Sequence, residues 1–380
     1  MRRFSAHLIL TPDGLMPDAV VTVDDTGAVV EVRQVERLDS EAGVEFHSGI
    51  IVPGFVNAHC HFELSYLRRA IPAGGGFGAF ARGIAENRGR FSAEERVAAA
   101  DFWDAKMHSE GVAAVGDVCN DSSVFGIKER SPIAWHSFAE LFGLGADPEA
   151  VFALRAEALG RGLVATTTPH STYSLNREAF AAAVGGEDNR PLSIHFMESP
   201  AESELFQRRG HLWEWYGRMG QKPDFIDYGS PARRIVAQVP PDRPVMLIHN
   251  TLVTQRDIDT VMEHFTAPVT WVLCPASNRY ISGLTPPVEL LRRNGLRIAV
   301  GTDSLASNTS LSMTSELSYF EDVPLVETLG WATLSGAEAL GMAGRLGSIE
   351  VGKSPGLVLL TGVDMATLAP TPAFTSQRLV

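Results

Sequence analysis

The sequence predicts an α/β fold: a (β/α)8 TIM barrel with a small β-sandwich domain built from both chain ends. Three observations carry that expectation. Eight short Val/Ile-rich runs follow Ile51 and alternate with longer helical stretches. The first 50 residues instead alternate apolar and polar positions with a period of two. The segment 349–360 returns to short strand-like runs broken by Gly352 and Gly356. The boundaries that follow are 1–52 and 345–380 for the two parts of the sandwich and 53–344 for the barrel.

In chain order, 19–23 and 28–32 flank the turn Asp24-Asp25-Thr26-Gly27 and form a β-hairpin pattern. The barrel strands are expected at 55–58, 112–118, 133–138, 163–169, 192–195, 245–248, 269–273 and 298–301. A doubly wound open sheet is the structural alternative, because counting strands does not close them. Gly74-Gly75-Gly76 with Gly78 marks a flexible loop after the first barrel strand. Ser92-x-x-Glu95 and Ser199-Pro200-Ala201-Glu202 match the capping box, the second with Pro at the first helical position. Gly111, Gly210 and Gly295 stand where helices are expected to stop.

A chain of 380 residues with 45% apolar and 20% charged residues has the composition of a soluble globular protein with a large core. Its 32 Lys and Arg against 45 Asp and Glu leave a formal net charge of −13, which repels nucleic-acid phosphates. The three cysteines, Cys60, Cys119 and Cys274, form no C-x-x-C pair. That argues against a disulfide framework or a zinc ribbon and points to a reducing compartment. Met1-Arg2-Arg3 before Leu8-Ile9-Leu10 imitates a leader, but His7, Pro12 and Asp13 interrupt the apolar part too soon. A soluble cytoplasmic protein is expected, with a small-molecule substrate, no nucleic-acid or membrane partner, and a surface compatible with a homo-oligomer.

The chemistry gathers at the carboxyl ends of the expected strands, where barrel enzymes place their reacting groups. The first strand runs into His59-Cys60-His61, the fourth into His170, the fifth into His195 with Glu198 beyond it, the sixth into His249 and the eighth into Asp303. On extended backbone, residues i and i+2 share a face, so His59 and His61 point together while Cys60 points away. His195 and Asp303 complete a set of three imidazoles and one carboxylate. Such a set suits one divalent metal ion, zinc first and iron(II) second, and not magnesium or calcium. The plainer alternatives are structural histidines and a loop or N-cap carboxylate at Asp303.

Five motifs in order resemble the amidohydrolase superfamily: Pro53-Gly54-Phe55-Val56-Asn57-Ala58-His59-Cys60-His61, His195-x-x-Glu198, His249-Asn250-Thr251, Cys274-Pro275-x-Ser277-Asn278 and Gly301-Thr302-Asp303-Ser304. The likeness is strongest to the cytosine deaminase and chlorohydrolase branch, which includes aminofutalosine and adenosylhomocysteine deaminases. It extends to the closing Leu346-Gly347-Ser348-Ile349-Glu350-x-Gly352-Lys353 segment. The resemblance implies hydrolytic deamination of an amino-substituted heterocycle, in particular an adenine nucleoside-like compound.

The same residues suggest how. A bound metal lowers the pKa of water towards neutrality, and Asp303 accepts the proton released. Glu198 delivers a proton to the ring nitrogen beside the amino group, and His249 orients the nucleophile. A carboxylate in the first turn of a helix is the plain alternative for Glu198. His170 and Glu63 are expected to contact substrate, Glu63 by accepting from a ribose diol, unless Glu63 merely pairs with Arg68 or Arg69. A hydrolase of cyclic amides would be expected to carry a lysine after the fourth strand, where Thr166-Thr167-Thr168-Pro169-His170 stands instead. A chloro-heterocycle hydrolase remains a related reading. An inactive metal-binding protein is disfavoured because no ligand or acid is missing.

Two other motifs are rejected. Gly347 to Ser354 spells a phosphate-binding loop, but Pro355-Gly356 would break the helix that motif needs, so a turn is expected. His61-Phe62-Glu63 matches half of the zinc nucleobase-deaminase signature, and the P-C-x-x-C half is absent.

Overall fold

The computed structural model describes residues 1–186 and 190–380. Six strands come first: β1 (Arg2–Thr11), β2 (Gly14–Met16), β3 (Ala19–Val23), β4 (Val29–Gln34), β5 (Val44–Pro53) and β6 (Phe55–Cys60). Then follow β7 (Val112–Cys119), β8 (Ala134–Leu141), β9 (Val164–Pro169), β10 (Leu192–Phe196), β11 (Val245–His249), β12 (Val269–Leu273) and β13 (Arg297–Val300). The chain ends in β14 (Leu357–Asp364) and β15 (Ala369–Arg378).

β6 to β13 are the eight expected strands, in two four-stranded parallel sheets, β6-β7-β8-β9 and β10-β11-β12-β13. Their runs of Val, Ile and Ala are buried almost without interruption, as strands covered on both faces must be. The two sheets meet at two seams. At one, the amides of Thr302 and Asp303 both donate to the His59 carbonyl at 3.0 Å. At the other, the His195 amide donates to the His170 carbonyl at 2.9 Å. Gly301 is required at the first seam, because a Cβ there would lie 2.8 Å from the His59 backbone. Between the sheets, Val56, Ala58, Ala114, Val118, Phe138 and Ile248 pack into one apolar cluster.

The chain ends build one seven-stranded sheet in the order β15-β14-β5-β1-β3-β4, with β2 paired to β1. β3 and β4 are the expected hairpin, paired antiparallel with a register shift at Thr22/Val23. β14 pairs antiparallel with β5, which brings the tail to the N-terminal strands. Arg378 fixes this sheet to the helix Ala93–Ser109 and to β7 by donating to the carbonyls of His108 (3.0 Å) and Val112 (2.8 Å).

Ser92 and Glu95 form the expected capping box at the helix Ala93–Ser109. Three other expectations fail. Ser199 caps the helix Pro200–Phe206 by position only: its hydroxyl makes no capping bond, and Glu202 instead accepts from the Glu198 amide at 3.1 Å. Gly210 opens the helix Gly210–Arg218 with φ of 80° rather than ending one. Gly76 and Gly78 begin the helix Gly76–Asn87, so only Gly74 and Gly75 remain as loop. The 347–354 segment carries no helix; Lys353 donates to Glu350 at 2.6 Å and to Ser348 at 2.7 Å.

Candidate active site

Pleating puts the side chains of His59 and His61 on one face at the end of β6, with ring centroids 4.9 Å apart. His195, at the end of β10, brings its Nε2 to 3.1 Å from His61 Nε2. Its Nδ1 donates to the His170 carbonyl at 2.7 Å, which fixes the tautomer and leaves Nε2 as a lone pair. Asp303, just past β13, holds Oδ2 against the hydroxyls of Ser277 (2.5 Å) and Ser307 (2.8 Å). Its Oδ1 remains, 3.6 Å from His61 Nε2 and 3.8 Å from His59 Nε2. The four expected ligands are therefore together.

His59 decides whether a metal fits. It is fully buried, and neither ring nitrogen has a hydrogen-bond partner. An orphaned buried imidazole is costly unless something else takes its lone pair. Burial, then the neighbouring imidazoles, hold it well below its ordinary pKa, so a lone pair is available. Burial opposes the charge on Asp303, but His61, His249 and the Ser277 hydroxyl outweigh it and hold the carboxylate ionised. Neutral imidazoles facing one carboxylate are a donor set for a divalent transition metal.

His249 ends β11 with φ of 78°. Its Nδ1 bonds Asn278 Oδ1 at 2.8 Å, and Asn278 in turn donates its amide to Thr251 at 2.7 Å. That relay makes Nδ1 the donor and leaves Nε2 facing the site, 3.9 Å from Glu198 Oε1. Burial pushes the Glu198 carboxyl up to about 7, against the pull of His195. Its Oε2 accepts from the Tyr173 hydroxyl at 3.0 Å.

His170 stacks on His195, centroids 4.5 Å apart, and its Nδ1 bonds Ser174 at 3.0 Å. Glu63 lies on the helical turn Phe62–Leu67; its Oε2 accepts from the amides of Asn120 (2.9 Å) and Asp121 (3.3 Å). The cation beside it is neither Arg68 nor Arg69 but Arg88, at 3.7 Å from Oε1. Sequence reasoning missed Glu140, near the end of β8. It is buried, its Oε1 has no partner, and it lies 3.7 Å from His195 Nδ1. The signal was parity: Glu140 is two residues beyond Phe138, on the face that strand turns to the interior.

The model of the amidohydrolase family matches residues 50–378. The chain belongs to the amidohydrolase family. This amidohydrolase is 26% identical to an adenosine deaminase of Helicobacter pylori over 94% of the chain and 90% of that protein. Its fold superimposes on Helicobacter pylori aminofutalosine deaminase in complex with methylthio-coformycin with a TM-score of 0.83. The two share 25% identity over 96% of this chain and 93% of the other. A zinc-bound adenosine deaminase from Xanthomonas campestris shares the fold at a TM-score of 0.74 and 23% identity, covering 98% of this chain and 86% of that one. As an amidohydrolase it is a metal-dependent hydrolase of carbon–nitrogen bonds other than peptide bonds, on a fold of the barrel type. No helix among the described residues is long and apolar enough to cross a membrane.

Proposed function

We propose that this amidohydrolase hydrolytically deaminates an adenine nucleoside-like compound of the aminofutalosine or adenosylhomocysteine type. The observation that carries the proposal is Glu198, a buried carboxyl with its pKa near neutrality and one oxygen turned towards His249. A group poised near the working pH both gives and takes protons efficiently. His59, His61, His195 and Asp303 would hold one metal, zinc in the first place and iron(II) in the second. When bound, that ion supplies the Lewis acidity that brings water within reach of ionisation at neutral pH.

The chain's own groups do the rest. Asp303, anchored by two serine hydroxyls through Oδ2, takes the proton of the attacking water on Oδ1. His249 accepts from that water through Nε2 and sets its direction, because the bond to Asn278 fixes its ring. Glu198 gives its proton to the ring nitrogen next to the amino group, which makes the adjacent carbon electrophilic. Left as a carboxylate, it takes the hydroxyl proton of the tetrahedral carbon and passes it to the amino group, which leaves as ammonia, and the proton held by Asp303 restores Glu198 for the next turnover. His170 and Glu63 contact the nucleoside, Glu63 through its Oε1 towards the sugar.

The seam hydrogen bonds support a closed (β/α)8 barrel at 53–344. The cluster of Phe4, Ile9, Val21, Val29, Ile51 and Leu359 supports a small sandwich from 1–52 and 345–380. Three buried free thiols suit the reducing cytoplasm, and a homo-oligomer is compatible with this reading.

An ammonia-release screen on zinc- and iron-loaded protein tests the assignment. Adenine nucleosides with a 5′ extension should be turned over better than free adenine. Chloride release from chloro-heterocycles or opening of cyclic amides, with adenine nucleosides inert, would replace it.

A further inference from the structure

Glu198 is held from both ends by two consecutive residues of the loop after β9. Tyr173 donates its hydroxyl to Oε2 at 3.0 Å. Thr172 donates its hydroxyl to Glu202 Oε1, and Glu202 Oε2 accepts the Glu198 amide at 3.1 Å. One turn of loop therefore fixes both the carboxylate and the backbone of the same residue, and only Oε1 is left towards His249.

The loop is itself braced at a cost that needs a return. Arg234 on the helix Pro231–Gln238 is fully buried, with 0% exposure. Its guanidinium donates to the carbonyls of Thr172 (2.8 Å) and Leu175 (2.7 Å), the residues on either side of Tyr173 and Ser174. It lies 3.9 Å from the ring centre of Phe225 and 4.5 Å from that of Phe180. The Tyr216 hydroxyl adds a bond of 2.9 Å to the Tyr173 carbonyl. Burying a guanidinium is expensive, and here it is spent on orienting two carbonyls of a four-residue span.

Resting on the reading of Glu198 as the proton carrier, we infer that Tyr173 is its positioning residue. Thr172, Glu202 and Arg234 form the frame that keeps it there. Tyr173 pins Oε2, so that Oε1 alone exchanges protons with the substrate. A carboxylate released from this bond rotates, and proton delivery slows while nucleoside binding persists.

The test is Tyr173→Phe, which keeps the ring contacts to Phe77 (5.6 Å) and His170 (5.7 Å) and removes only the hydroxyl. With metal content and melting curve unchanged, kcat should fall about 10- to 100-fold and KM should stay within about threefold. In a Glu198→Gln background the same change should cost nothing further, because the carried proton is already gone. A kcat within twofold of wild type, a change confined to KM, or an equal loss in both backgrounds overturns the positioning role. Undiminished turnover in Glu198→Gln alone overturns the reading of Glu198 and the clamp with it. Loss there with unchanged turnover in Tyr173→Phe overturns the clamp alone.

Discussion

The buried glutamates of the barrel mouth and the arginine-paired glutamates at the terminal sheet are shifted in opposite directions. At the mouth, burial pushes Glu63 and Glu198 to about 7 and Glu140, Glu202 and Glu316 to about 8. At the sheet, Glu41 in the connection between β4 and β5 is held at about 2 by Arg33 and Arg3, and Glu45 on β5 is lowered by Arg2. Positive φ at non-glycine residues occurs in both regions, at Asp18 and Leu368 in turns of the sheet. Met197, His249, Asn250 and Asp303 take positive φ at strand ends around the site, although none is glycine. The sheet pairs its glutamates with exposed and half-buried arginines, whereas the mouth buries acids and imidazoles together, with His59 and Glu140 Oε1 left without a hydrogen-bond partner. Function is concentrated where the fold is least at ease.

The largest effect that would break this contrast is at the metal ligands. His61→Ala and His195→Ala should each lose most of the metal by elemental analysis and nearly all turnover. Full occupancy in both would remove the site.

A smaller effect sharpens the contrast within the mouth. Glu63→Gln should lower kcat/KM for an adenine nucleoside about 10- to 150-fold and leave the free base little changed, the loss expected for one bond to a charged group. Since Oε2 of Glu63 also holds the amides of Asn120 and Asp121, equal losses on nucleoside and base would assign it to the loop instead of the sugar.

The smallest effect concerns pH. Glu316 accepts from the Ala276 amide (3.1 Å) and the Asn308 side chain (2.7 Å), and burial raises it to about 8. An acid whose folded pKa exceeds its unfolded value favours folding while protonated. Its contribution is full below about 4.5 and is lost as pH climbs towards 8. Glu41 has the opposite sign: its contribution is present above the unfolded value and is lost as pH falls through about 2. The melting temperature of Glu316→Gln should therefore decline less than that of wild type between pH 5 and 9, and parallel declines would refute the assignment.

Much of this was legible in the chain. All eight barrel strands could be read from their Val/Ile runs because turn residues and helix caps bound them, and the His59/His61 pair follows from the two-residue period alone. What escaped reading depends on distance along the chain. Glu140 fell outside an expected strand ending at 138, and nothing local marks its orphaned oxygen. Tyr173 and Arg234 carry no motif, since their contacts span 25 and 59 to 62 residues. Ser199-x-x-Glu202 has the right letters for a capping box, but Thr172 and the Glu198 amide compete for the Glu202 carboxylate and win. Gly210 was placed at a helix end, and it is a helix beginning, because a positive-φ glycine serves either.

The central claim is that Glu198 moves the protons of a metal-assisted deamination. Its most direct test is to measure ammonia release from an adenosine-type nucleoside by wild type and Glu198→Gln, with the metal counted in the same samples. The account predicts equal metal content and a fall in kcat of about 100- to 10,000-fold in the variant. Equal metal with undiminished turnover would contradict it.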